Sequence, residues 1–146
     1  MQSEKSMNPI AVLHIPHSSI LIPEEERNSI LLSDNDLADE IIKMTDKYTD
    51  ELFKLDGEES KTVLFPVSRI VLDPERFEDD SLEVMSSLGM GVIYTKAAGG
   101  QILRNKPTPE VRKRMLEKYW SVPIELTRMS FTSCLHMLMM LICRRS

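Results

Sequence analysis

The stretch AVLHIPHSSILIP, residues 11–23, decides how the chain is read. Residues 10–13 are mostly apolar and partly β-branched, and Pro16 then removes a ladder donor, so a buried strand is expected to end in His14-Ile15-Pro16-His17-Ser18-Ser19. The carboxyl rim of an α/β sheet is where ligands usually bind, and this strand delivers two of the chain's three histidines to it. Two readings fit the pair. Both are ordinary strand-end histidines, or at least one imidazole is a metal ligand. Side chains alternate along a strand and Pro16 bends the backbone between the two rings. The metal reading therefore rests on His17, with His14 behind it.

The rest of the chain narrows the class. With 146 residues, 42% of them hydrophobic, it suits one domain with one real core. A formal net charge of -5 argues against nucleic acid as a partner, and the basic run at residues 111–118 reads as one helix face. Residues 1–8 are polar and lack the apolar segment of a signal peptide, so a cytoplasmic protein without a membrane partner is expected. Cys134 and Cys143 both lie near the end, which supports neither a disulfide framework nor a thiolate metal site.

Further along, Ser33 is placed to cap a helix, with Asp36 three residues on. Leu37, Ile41, Met44, Tyr48, Leu52 and Leu55 recur at spacings of three and four, which predicts one apolar stripe down about five turns, ended by Gly57. On that helix Asp46 falls opposite the stripe, yet near Ile42, Thr49 and Phe53. It is either a solvated carboxylate beside scattered apolar residues or an acid facing an interior site, where it would need a cation.

Residues 61–76, KTVLFPVSRIVLDPER, read as two strand pieces broken at Pro66, or as a strand and a bulge. Arg69 is unlike its apolar neighbours, and Arg69, Asp73 and Arg76 follow at spacings of four and three. They form either a structural ion pair or a guanidinium clamp for a carboxylate or polarised carbonyl. Glu75, Glu78, Asp79 and Asp80 read as a solvated acidic flank. Residues 89–95, GMGVIYT, predict another strand, and the glycines there lack the fingerprint of a phosphate-cradling loop. Arg104 follows a turn as a further anion contact or a surface cation. Thr108 then caps a helix with Pro109 at its first position, running through Val111, Met115, Leu116 and Tyr119.

Four phrases in this order, HIPHSS with LIP, MTDKYTDELF, FPVSRIVLDPERFEDD, and GMGVIYT with GGQILR, resemble the N-formylglutamate amidohydrolase family over residues 13–120. The resemblance implies an α/β fold with a mixed sheet between helices, of the carboxypeptidase and phosphorylase/hydrolase-like kind. It also implies a zinc-dependent hydrolase acting on a small N-acyl amino acid such as N-formylglutamate. On matching positions, His17 and Asp46 would be zinc ligands and Arg69 the catalytic group that stabilises the oxyanion. Arg76 would hold the substrate carboxylate with Arg104 as a further contact, and Asp73 would orient the arginines.

The likeness stops at Ser121. Family members continue with a Pro-His-His-like phrase and later a His-Ser-Phe segment and a general-base carboxylate, none of which follows here. Residues 9–120 are therefore read as the N-terminal part of the family domain. Residues 121–146 are read as an atypical apolar tail whose sole acidic residue is Glu125. A shifted frame or truncation after Trp120, an evolved short form, and membrane attachment are the accounts of that tail, the last weakened by an apolar run too short to span a bilayer. His136 is either a replacement ligand or a packed residue. The alternative to an enzyme is an inactive fragment or a small carboxylate-binding module.

Overall fold

The computed structural model describes residues 11–54 and 60–120. The first strand, β1 (Ala11–Ile15), pairs in parallel with β2 (Ser60–Leu64), with Ala11 opposite Ser60 and Ile15 opposite Leu64. Phe65 N–H extends the contact to Ile15 O at 3.1 Å, just before Pro66 ends the ladder. Among the described residues the sheet has these two strands, so the mixed sheet expected from the sequence is seen here as a parallel pair beside an isolated antiparallel bridge, Lys96 to Ile102.

Between the strands come α1 (Glu24–Arg27), α2 (Asp34–Met44) and α3 (Thr49–Leu52). As expected, Ser33 caps α2: its Oγ accepts from Asp36 N–H at 3.2 Å and donates to Asp36 Oδ2 at 2.6 Å. The predicted five-turn helix, however, breaks. Thr45 Oγ1 donates to Ile41 O at 2.7 Å, offering the backbone a partner outside the helix ladder. Thr45 itself is extended, and Tyr48 has φ +66. The stripe therefore changes direction after Met44, and Leu52 and Phe53 are exposed. Gly57, its expected end, lies outside the described residues.

Residues 67–72 do not form the predicted strand. Val71 N–H bonds to Ser68 O at 2.8 Å in a turn, and Ile70, Val71, Leu72 and Asp73 are all fully buried. Burial on every side leaves no period of two for a ladder to select. Residues 89–95 also make no strand: Thr95 and Lys96 N–H both reach Gly89 O, at 2.8 and 3.1 Å. Gly89 has φ +82, and a Cβ on Gly91 would stand 2.5 Å from Asp80 Oδ1, so both glycines serve this loop.

The two core clusters explain why these irregular segments hold their shape. Phe65, Val67, Val71, Leu72, Val92 and Ile93 pack with Met115 and Tyr119 of the C-terminal helix, whereas Ile70, Tyr94 and Leu103 pack with Ile30 and Leu37. That helix begins as α4 (Pro109–Met115), capped by Thr108 as the sequence predicts, and widens into a π turn at Leu116–Trp120. Its outer face is pinned to α1: Arg114 Nη1 lies 2.9 Å from the buried Glu26 Oε1, and Lys118 pairs with Glu25. No described helix is long and apolar enough to cross a membrane. Residues 121–146, with His136, Cys134 and Cys143, lie outside the described residues.

Candidate functional site

Pro16 turns the chain out of β1 and sends His17 inward, where it is 4% exposed. Its Nε2–H donates to Asp73 Oδ1 at 2.9 Å. The opposite ring nitrogen, Nδ1, faces Asp46 Oδ2 at 3.4 Å and Glu75 Oε2 at 3.7 Å. Asp46 reaches this place because the helix stops at Met44: its backbone N–H donates to His17 O at 3.0 Å. The acid is thus beside His17 as the resemblance implies, but it projects from a loop and is largely exposed rather than buried on a helix. A cavity of about 200 Å³ opens here, lined by His14, His17, Asp46, Thr49, Phe53 and Glu75.

Asp73 organises the other side. It is fully buried, its backbone N–H donates to Val92 O at 2.9 Å, and its carboxylate collects donors from three parts of the chain. His17 Nε2 and Glu75 N–H, the latter at 3.0 Å, meet Oδ1, while Arg69 Nη2 at 2.7 Å and the Tyr94 hydroxyl meet Oδ2, with Arg76 Nε 3.5 Å away. Burial alone would raise its pKa, but the hydrogen bonds from His17, Tyr94 and Arg69 outweigh it and hold the carboxyl well below the usual range. Burial and the adjacent Asp73 charge push the Tyr94 phenol up to about 12, so it stays a donor. Arg76 is held from its far end by Glu83, 3.3 Å from Nη1, whose carboxylate also accepts from Phe77 and Met85 N–H.

The residue types around the His17 ring fit a divalent cation. One ligand atom each from His17, Asp73 and Glu75 lies within 4.8 Å of the others, so this group could hold a metal. Two ligands on a tetrahedral zinc with bonds of about 2.0–2.1 Å stand roughly 3.4 Å apart. The separation between His17 Nδ1 and Asp46 Oδ2 matches that edge.

Arg69, Asp73 and Arg76 come together as the spacing suggested, and Asp73 also joins them to His17. His14 lines the cavity, its Nε2 buried without a hydrogen-bond partner among the described residues, and burial lowers its pKa. Arg104 is 3% exposed and gives Nη2 to Ile70 O at 2.6 Å; it braces the backbone next to Arg69 and is not among the residues lining the His17 cavity. Three participants went unnoticed in the sequence. Tyr94 is hidden in an apolar run, Glu75 sits in an acidic stretch that reads as solvated, and Glu83 carries no signal in the sequence.

A family model described as N-formylglutamate amidohydrolase matches residues 10–121. A solved structure described as N-formylglutamate amidohydrolase from Ralstonia eutropha JMP134 superposes with a TM-score of 0.73 at 16% identity, covering 88% of this chain and 49% of that one. The chain thus spans about half the length of that structure. No curated protein matches it.

Proposed function

Because the chain belongs to the N-formylglutamate amidohydrolase family, we propose that it hydrolyses the amide of a small N-acyl amino acid such as N-formylglutamate, using a zinc ion held by His17 and Asp46. The observation that carries this reading is the shared carboxylate of Asp73, which ties the His17 imidazole and the Arg69 guanidinium to one rigid point.

When bound, zinc would polarise the amide carbonyl and lower the pKa of a water. Asp73 accepts from His17 Nε2–H and so turns Nδ1 toward the cavity, where it would face a metal. Arg69 is partly exposed and charged, and it stabilises the oxygen that becomes anionic as the carbonyl is attacked. Arg76, fixed between Asp73 and Glu83, presents a guanidinium for the substrate's carboxylate. The donors are pre-arranged, so little reorganisation is needed when charge develops.

The test is formate release from N-formylglutamate by the purified chain, compared with H17A and R69A. Both variants should lose activity while keeping the far-UV circular dichroism of the parent. Formate release at the parental rate by H17A would refute the assignment.

A further inference from the structure

His17 has one ring nitrogen to spare, and two carboxylates face it. A hydrogen bond from an imidazole N–H to a carboxylate places the heavy atoms about 2.7–3.2 Å apart. Neither Asp46 Oδ2 at 3.4 Å nor Glu75 Oε2 at 3.7 Å from Nδ1 lies in that range. Both lie near the roughly 3.4 Å edge of a tetrahedral zinc site.

From this geometry we infer that Glu75 is a protein ligand of the metal, binding beside His17 Nδ1. The inference rests on the zinc-hydrolase reading of the same site and adds to it a third donor from this half of the fold. Asp73 is the competing choice, since its oxygen also lies within reach of His17 and Glu75. A carboxylate has about four lone-pair positions. Those of Asp73 are taken by His17 and Glu75 N–H on Oδ1 and by Arg69 and Tyr94 on Oδ2, so coordination there would strip a buried donor of its partner. Glu75 carries no such load. Its side chain is 57% exposed and, among the described residues, makes no hydrogen bond; its approach to His17 Nδ1 is 3.7 Å.

Backbone geometry places it. Glu75 N–H donates to the same Asp73 Oδ1 that accepts from His17, so one oxygen sets the position of both the imidazole and the second carboxylate. The buried Pro74 between them restricts the connecting backbone.

The experiment measures Zn²⁺ affinity of the full chain by competition with a chromogenic chelator, and the visible absorption of the Co²⁺-loaded protein, for the parent, E75Q, E75A and the exposed control E78Q. Removing a ligand should weaken Zn²⁺ binding by at least roughly tenfold in E75Q and E75A and change the Co²⁺ spectrum, with E78Q like the parent. The apo proteins should share one circular dichroism spectrum, since the Glu75 side chain supports no packing. Parental affinity and an unchanged Co²⁺ spectrum in E75Q would overturn the assignment of Glu75 while leaving zinc at His17 intact. Absence of Zn²⁺ binding by the parent would overturn the zinc reading itself and this ligand with it.

Discussion

His17 Nε2 and Asp73 Oδ1 stand 2.9 Å apart although 56 residues separate them in the chain. Because the carboxyl is held ionised, it accepts from Nε2–H, and the ring is oriented with Nδ1 toward the cavity. Carboxylate–imidazole pairs of this kind orient a metal-binding ring and raise its basicity.

Replacing the acid tests that coupling. Asp73→Asn keeps the shape but removes the charge that Arg69 and Arg76 face, and breaking a buried pair of this kind costs about 3 kcal/mol. Urea unfolding should report that loss, and Zn²⁺ affinity should fall roughly 10–100-fold. A variant with parental affinity would show that Asp73 does not orient His17.

The same acid sets a pH dependence. Its folded pKa lies below the usual 3.8, so the folded state binds fewer protons than the unfolded state. The resulting stability is complete above about pH 4 and is lost as pH falls through the depressed folded value. Unfolding midpoints measured between about pH 4 and pH 2 should therefore drop less steeply for Asp73→Asn than for the parent. Equal slopes would place the acid sensitivity in other carboxylates.

Much of this cluster was legible and part of it was not, for physical reasons. Arg69, Asp73 and Arg76 stood out because charged side chains in an apolar run need partners, and their spacing supplied them locally. Tyr94 is 21 residues from Asp73 and its hydroxyl has no local signature, so only the tertiary fold reveals the contact. Asp46 was matched to the correct neighbour by the wrong route. The stripe from Leu37 to Leu55 reads as one helix, yet the Thr45 hydroxyl and the left-handed Tyr48 break it, and this break carries Asp46 to His17. Residues 67–72 form a turn at Ser68 in place of the expected strand, and the buried Val67, Ile70, Val71 and Leu72 carry none of the alternation that identifies a half-buried strand. The helix caps at Ser33 and Thr108 were read correctly because a cap is a local hydrogen bond.

Tyr94→Phe isolates one donor. The hydroxyl lies in the core against a charged acceptor, and hydrogen bonds to charged groups are worth about 2 kcal/mol. The variant should lose about that much stability in urea while Zn²⁺ affinity falls less than in Asp73→Asn. Equal losses of affinity would mean that the phenol, rather than Asp73, governs the imidazole.

Glu83 separates substrate binding from turnover. It holds Arg76 from the side away from Asp73, and backbone N–H bonds from Met85, partly offset by burial, keep its carboxyl charged. Glu83→Gln should raise KM for N-formylglutamate roughly tenfold with kcat nearly unchanged, the signature of lost binding common to ground and transition states. A fall in kcat at constant KM would instead place Arg76 at the reacting carbonyl.

The zinc content of the purified chain, loaded with Zn²⁺ and dialysed against metal-free buffer, tests the account most directly when the parent is set beside H17A. One ion per chain in the parent and none in H17A is the predicted result. Retention of the ion by H17A, or its absence from the parent, would contradict a metal site built on the imidazole of His17.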